Sequence, residues 1–279
     1  MEKYLIALDM DGTLLNRQGK VSKKTVEVLN RLIQKGHYIV PASGRAFTLL
    51  PKEVLQLEGI QYAVLENGAV VWDWKNQCAI KQEPLPKGMV KAILEDIEKQ
   101  ASTGYCAEII VNGKVYADME TQKELDFPGL AENFVRYMRQ NHIFIENLSS
   151  RTDLLDAAEK LNIYFDDVKF SEVVRAKWRT EPQLNVTTSV SGNAEFTAAG
   201  IDKGHGIKIL QQRLGIPKEH CIAIGDDEND LEMFEQVQMA VAMGNAKESV
   251  KQAANEITLD CDKDGAAVFL EKYFHFSII

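Results

Sequence analysis

A short, wholly apolar run that stops on charged and small residues, followed by an amphipathic stretch, recurs at both ends of this 279-residue chain and not in its middle. Residues 4–8 are apolar throughout and end in Asp9-Met10-Asp11-Gly12-Thr13. A strand with one wet face alternates, whereas a strand with no polar position must be covered on both faces, as in a buried parallel sheet. Ser22 then reads as the N-cap of a helix whose Val26, Leu29 and Ile33 share one face, with Gly36 as its stop. Residues 37–40 lead into Ala42-Ser43-Gly44-Arg45, a helical stretch spans 47–57, and the run 62–65 meets Glu66-Asn67-Gly68-Ala69. The rhythm returns late in the chain. Residues 221–224 end at Gly225-Asp226, 231–237 read as helix, and 239–242 end at Met243-Gly244; a helix from Lys247 and a short strand at 256–258 follow. Strands alternating with helices build a parallel sheet with right-handed crossovers.

The middle is different. Residues 104–118 alternate and carry Asn112-Gly113, a strong hairpin signal. Amphipathic helical stretches at 131–140 and 152–161 flank further strand-like pieces, and Pro84, Pro86 and Pro182 lie near the margins. The expected architecture is an α/β core with a doubly wound parallel sheet, formed by residues 1–82 and 191–279. An α+β domain, residues 83–190, is inserted into it.

Composition narrows the function. With 41 acidic against 32 basic residues the formal net charge is −9, which repels a polyphosphate backbone and argues against nucleic acid as a partner. A pocket for a single phosphate is a smaller feature and stays open. Cys78, Cys106, Cys221 and Cys261 are scattered with no CxxC pair, so neither a disulfide framework nor a thiolate zinc site is expected. No apolar run approaches the roughly 18 residues of a membrane span, and the one at 4–8 is too short for a secretory signal. A cytoplasmic protein with no membrane and no obligate protein partner is expected. Neither GxxxxGK[ST] nor GxGxxG is present, which leaves nucleotide cradling of either kind unsupported.

Polar groups gather where the core strands end: Asp9 and Asp11, Ser43, and Asp226, Asn229 and Asp230, with Lys203 opening a helix. Ligands of open parallel sheets bind at the carboxyl ends of strands where strand order reverses. Carboxylates there suit a hard divalent cation, and a lysine and a hydroxyl suit an anion. Each piece alone has a plainer explanation. Asp-x-Asp-Gly occurs in calcium loops, but the twelfth loop position here is Lys20 rather than Glu. The acidic run 226–230 suits any helix N-terminus. A lone lysine is usually a surface residue, and Ser-Gly a turn. His205, two residues after Lys203, adds nothing that the carboxylates lack.

Together and in this order, however, the residues resemble the haloacid dehalogenase-like hydrolase superfamily. Asp9-Met10-Asp11-Gly12-Thr13 is similar to its first motif, Ser43 to the second, Lys203 to the third, and Gly225-Asp226-Asp227-Glu228-Asn229-Asp230 to the fourth. Ala42-Ser43-Gly44-Arg45, Glu66-Asn67-Gly68-Ala69 and the insertion after the second motif resemble the Cof-type, subclass IIB branch of phosphatases. Met10 and Ser43 depart from the commonest residues without removing a needed group.

The resemblance implies a Rossmann-like core and an inserted cap that sets specificity. It also implies a Mg²⁺-dependent phosphatase acting on a small phosphorylated metabolite, a sugar phosphate or similar monoester. Asp9 would be the nucleophile and Asp11 the general acid and base. Asp9, the Asp11 carbonyl and Asp226 would hold the metal, with Asp230 supporting it. Met10, Ser43, Gly44, Lys203 and Asn229 would hold the phosphoryl group. Arg45, beside Ser43, offers either a substrate contact or an exposed salt bridge. Competing readings are a sugar-phosphate phosphotransferase or mutase and a receiver-like regulatory domain. In the inserted domain, Arg175, Lys177 and Arg179 offer either a specificity cluster or a solvated face.

Overall fold

A computed structural model of the chain describes residues 2–55, 57–101, 104–119 and 132–276. They divide into two compact units. The first comprises Met1–Arg45, Leu50–Lys81 and Asp202–Ile279; the second comprises Ala46–Leu49 and Gln82–Ile201. In chain order the strands are β1 (Leu5–Asp9), β2 (Tyr38–Ala42), β3 (Tyr62–Leu65), β4 (Val70–Asp73), β5 (Cys78–Gln82), β6 (Tyr105–Val111), β7 (Lys114–Asp118), β8 (Ile143–Ile145), β9 (Lys160–Phe165), β10 (Leu184–Thr187), β11 (Asn193–Ala198), β12 (Cys221–Gly225), β13 (Met239–Ala242) and β14 (Glu256–Ile257).

The first unit is doubly wound α/β. Its sheet runs β14-β13-β12-β1-β2-β3-β4-β5, parallel from β14 to β3, with β4 antiparallel to β3. Every residue of β1 and β12 is buried, as wholly apolar runs require. The helix Lys23–Gln34 starts on Ser22, whose side chain accepts from Thr25 N, and ends before Gly36 at φ +89°. It packs against Gly265–Tyr273, while Lys203–Leu214 packs against Leu231–Glu235. From β1 the chain proceeds to β2 and β3 on one side; after the insertion it returns to β12 and β13 on the other. Strand order therefore reverses between β1 and β12, and the crevice at their carboxyl ends is where the fold offers a ligand site. In register, Asp9 pairs with Ala42 and Leu8 with Ile224, so Ser43 and Asp226 stand just past the strand ends that flank Asp9.

The second unit holds a sheet in the order β10-β11-β9-β6-β7-β8. The hairpin joining β6 and β7 turns at Asn112 (φ +51°) and Gly113 (φ +71°), two left-handed residues as a type I′ turn demands. Leu161, Ile163, Phe165, Ala194 and Phe196 face one side and pack with Val90, Ile93, Ile97 and Val174 from the helices Met89–Gln100 and Val168–Trp178. The intervening positions are polar yet buried: Glu108, Asn162 and Glu195 lie side by side across three strands. They are hydrogen-bonded, Asn162 Nδ2 to Glu108 Oε1 at 2.9 Å and Lys160 Nζ to Glu195 Oε2 at 2.9 Å, as buried polar groups must be.

Three expectations are corrected. The return to the first unit comes after Ile201 rather than at 191, because β11 pairs with β9 and β10 of the second sheet. The helix expected over 152–161 is confined to Thr152–Leu155; β9 follows, where the alternate apolar residues Leu161, Ile163 and Phe165 replace the helical period. The stretch 47–57 breaks into a 3₁₀ turn, Phe47–Leu49, and a short helix, Lys52–Leu55, on either side of Pro51. The helix expected at 131–140 is described as Glu132–Asn141, and residue 131 lies outside the described residues.

Candidate active site

Asp9 closes β1 and is buried. Lys203, the first residue of the helix Lys203–Leu214, is aimed by that helix's N-cap, where the Asp202 side chain accepts from His205 N at 2.7 Å. Its side chain is 1% exposed, and its ammonium donates to Asp9 Oδ1 and Asp230 Oδ1, both at 2.6 Å. Burial alone would lower this lysine, but the Asp230 and Asp9 carboxylates outweigh it and hold the ammonium above its ordinary range. Asp9 itself is pushed well above the carboxylate range, first by burial, then by Asp230, with Lys203 pulling the other way.

Asp230 works on the loop after β12. Its Oδ2 accepts from the backbone N–H of Asp226 at 2.9 Å and of Asp227 at 3.1 Å, closing a capping box with Asp227. A Cβ on Gly225 would lie 2.4 Å from that oxygen, so only glycine lets the loop fold over Asp230. Asp226 is thereby turned toward Asp9. Its Oδ1 accepts from Thr13 Oγ1 at 2.9 Å and its Oδ2 from Asn245 Nδ2 at 3.2 Å. Burial, then Asp230, raises Asp226 to about 6. Carboxylate oxygens of Asp9, Asp226 and Asp230 all lie within 4.8 Å of one another. Three such groups beside one ammonium leave negative charge uncompensated, an all-oxygen donor set suited to a hard divalent cation.

The turn after β1 is tight: Leu14 N–H donates to Asp9 O at 3.1 Å and Leu15 N–H to Met10 O at 2.8 Å. Gly12 sits there at φ +85°, and a Cβ on it would meet Asp226 Oδ2 at 2.3 Å. Asp11, unlike Asp9, has a largely exposed side chain, and the Arg45 guanidinium grips it with Nε to Oδ2 at 2.9 Å and Nη2 to Oδ1 at 2.7 Å. Ser43 is buried; its N–H donates to Val64 O at 2.9 Å, and its Oγ accepts from Arg45 N at 3.2 Å. Gly44 follows it at the same strand end. Asn229 Nδ2 lies 3.4 Å from Asn67 Oδ1, in a segment where Glu66 and Asn67 both adopt positive φ.

The structure thus gathers Asp9, Lys203, Asp226 and Asp230 into one cluster and ties Asp11 to Arg45. Thr13 and Asn245, both hydrogen-bonded to Asp226, are candidate site residues that the sequence reading misses. Thr13 belongs to the first motif, but nothing in the motif names a partner for its side chain. Asn245 lies three residues past β13, a strand end without an acidic or basic signal. Arg175, Lys177 and Arg179 find partners inside the second unit: Arg175 donates to Asn193 O, Lys177 Nζ to Asp96 Oδ1 at 2.6 Å, and Arg179 Nε to Val186 O at 3.3 Å. Among the described residues no helix is long and apolar enough to cross a membrane.

Known proteins are similar to this chain over nearly its whole length. The family model for haloacid dehalogenase-like hydrolase matches residues 6–270. The chain is 30% identical over 276 residues to the 5-amino-6-(5-phospho-D-ribitylamino)uracil phosphatase YitU of Bacillus subtilis (strain 168), with 97% of each covered. It is 30% identical over 282 residues to the phosphatase YwpJ of the same organism, covering 94% of this chain and 97% of that one. A solved haloacid dehalogenase-like hydrolase from Bacteroides thetaiotaomicron matches with a TM-score of 0.81 at 28% identity, over 98% of this chain and 100% of the other. The chain belongs to the haloacid dehalogenase-like hydrolase family.

Proposed function

We propose that this phosphatase hydrolyses a small phosphomonoester through a phosphorylated Asp9 and requires Mg²⁺. The observation that carries the reading is the cluster at the β1–β12 crevice, Asp9 and Asp226 within 4.8 Å of Asp230, with Lys203 bonded to Asp9 and Asp230. Asp9, Asp226 and the Asp11 carbonyl would hold the cation, and Asp230, engaged by Lys203 and two backbone N–H groups, would support them. When bound, Mg²⁺ supplies positive charge to the phosphoryl oxygens and to the attacking carboxylate.

Asp9 attacks phosphorus, forming an Asp9–phosphoryl bond as the bond to the leaving oxygen breaks. Asp11 gives its proton to that oxygen, so the leaving group departs as an alcohol. Asp11 then takes a proton from water, the hydroxide attacks phosphorus, and the bond to Asp9 breaks to release phosphate. Ser43 Oγ, the Met10 and Gly44 amides, Lys203 and Asn229 hold the phosphoryl oxygens, where preformed donors are worth most as charge develops. These groups address only phosphate. Choice of leaving group is assigned to the inserted unit, and the phosphorylated ribitylamino-pyrimidine named for YitU points to polyol-like monoesters.

The test is phosphate release from a panel of sugar phosphates, nucleotides, cofactor-precursor phosphates and the ribitylamino-pyrimidine phosphate, with Mg²⁺ and with chelator. Metal-dependent release from at least one monoester is expected. Full activity in chelator, or a phosphorylated isomer in place of free phosphate, would overturn the reading.

A further inference from the structure

Asn245 joins three segments that the chain keeps far apart. Its Oδ1 accepts from Cys261 N at 2.9 Å, which fixes the orientation of the amide, since an N–H can face only the oxygen. Its Nδ2 is therefore aimed at two acceptors: the Gly12 carbonyl at 2.8 Å and Asp226 Oδ2 at 3.2 Å. Gly12 immediately follows Asp11, and its missing Cβ is what lets Asp226 approach the turn. Thr13 holds the other oxygen of Asp226 at 2.9 Å. The backbone adds a further tie, Lys247 N–H to Asp226 O at 3.1 Å, two residues beyond Asn245. No part of Asn245 carries charge, and its amide spends both ends on orientation.

We propose that Asn245 is a positioning residue for the cation site, its side-chain amide locking the Asp226 carboxylate to the Gly12 turn so that Asp226 and the Asp11 carbonyl face one point. The inference rests on the metal reading above. An amide anchored by a backbone N–H is a rigid spacer. Partners of this kind orient a metal's carboxylate ligands, and their loss typically weakens metal affinity about 10- to 100-fold. Without it Asp226 keeps its charge and its Thr13 bond but gains freedom about its side-chain torsions, and the Gly12 carbonyl loses the donor that pins the turn.

The experiment follows thermal unfolding of the whole protein across a MgCl₂ titration starting in chelator, because a cation that binds only the folded state raises Tm with the logarithm of its concentration over its Kd. Wild type is compared with Asn245→Ala, Asp226→Asn and Asn255→Ala. Asn255 Oδ1 accepts from Ala240 N at 2.7 Å, a bond on β13, the strand that leads to Asn245, but on none of the site residues, so it reports what a merely structural loss does. Asn245→Ala should need at least tenfold more Mg²⁺ than wild type for the same Tm rise above its value in chelator, while Asn255→Ala should melt earlier in chelator with its Mg²⁺ demand unchanged. Should Asn245→Ala fail to fold, Asn245→Ser, too short to reach Asp226, is measured in its place with the same expectation. An unchanged Mg²⁺ demand at position 245, or the same shift in Asn255→Ala, overturns the proposal. A full Tm rise in Asp226→Asn would instead remove the metal reading on which it stands.

Discussion

Arg45 grips Asp11 by a two-bond fork, one nitrogen to each carboxylate oxygen at 2.9 and 2.7 Å. The fork fixes where the Asp11 carboxylate points, and its own backbone is fixed in turn: Arg45 N donates to Ser43 Oγ and Arg45 O accepts from Glu66 N. The Asp11 side chain is 59% exposed, so the pair contributes at most about 1 kcal/mol to stability.

Replacing Arg45 by Lys or Ala should therefore leave Tm nearly unchanged and still reduce turnover. A lysine keeps the charge but not the planar two-point grip. The loss should be about tenfold or more on an alkyl phosphate, whose poor leaving group needs the Asp11 proton, and much smaller on an aryl phosphate. Kinetics on the two substrates decide it; equal losses on both would mean that Arg45 does not act through Asp11.

Lys203 is the only cation bonded to both Asp9 and Asp230 among the described residues, and it is 1% exposed. Lys203→Met should remove activity and cost about 3–5 kcal/mol, the usual cost of stranding buried charge. Asp9 is already held above the ordinary carboxylate range by burial and by Asp230, and losing Lys203 pushes it further in that direction. A raised carboxyl destabilises as pH climbs through its folded value, so the defect in metal-free protein should be larger at pH 8 than at pH 5. Denaturant midpoints at the two pH values test this, and a pH-independent defect would contradict it.

Much of this site is legible in the sequence because strand ends announce themselves. Asp9, Ser43 and Asp226 each follow a wholly apolar run, and a parallel sheet brings such ends to one edge. Asn245 is not legible, since its role comes from a hydrogen bond to Cys261 and a carbonyl 233 residues away, neither of which has a sequence signature. The polar row of the second sheet has no sequence signature for a related reason. Glu108, Asn162, Asn193 and Glu195 satisfy one another out of solvent through bonds between strands far apart in the chain. The return to the first unit comes later than the sequence suggests because β11, with Glu195 and Thr197 alternating among apolar residues, belongs by pairing to a sheet whose partners lie upstream. Arg175, Lys177 and Arg179 look like a cluster in sequence, yet a helix sends them to three separate partners.

Asp9→Asn should abolish turnover while preserving the fold. The amide oxygen can still accept from Lys203, and the change removes repulsion between Asp9 and its neighbours Asp230 and Asp226. Stability in chelator should stay within about 1 kcal/mol of wild type, far from the several kcal/mol that an uncompensated buried charge costs. The Mg²⁺-induced rise in Tm should shrink, because one anionic ligand is gone. Phosphate release and melting with and without Mg²⁺ check all three points. Substantial turnover by the purified variant would remove Asp9 as nucleophile.

The second unit carries its own pH dependence at Glu159. This side chain is 3% exposed and accepts from Asn112 N at 3.0 and 3.2 Å and from Gln82 Nε2 at 3.0 Å. Burial raises its carboxyl from 4.5 to about 7, although those donors pull it down. Below pH 4.5 the group is protonated in both folded and unfolded chains and contributes no pH dependence. Between 4.5 and 7 the unfolded chain releases the proton first, so stability falls as pH rises and levels off above 7. At about 1.4 kcal/mol per unit of displacement the fall is on the order of 3 kcal/mol. Asp226, raised to about 6, tilts the first unit in the same direction, so the informative quantity is the difference between wild type and Glu159→Gln. The glutamine keeps the shape and one acceptor without the charge. Its urea midpoint should gain on wild type from pH 5 to about pH 7 and hold that gain to pH 8, whereas parallel pH profiles for the two proteins would show that Glu159 is ionised in the folded state at ordinary cost.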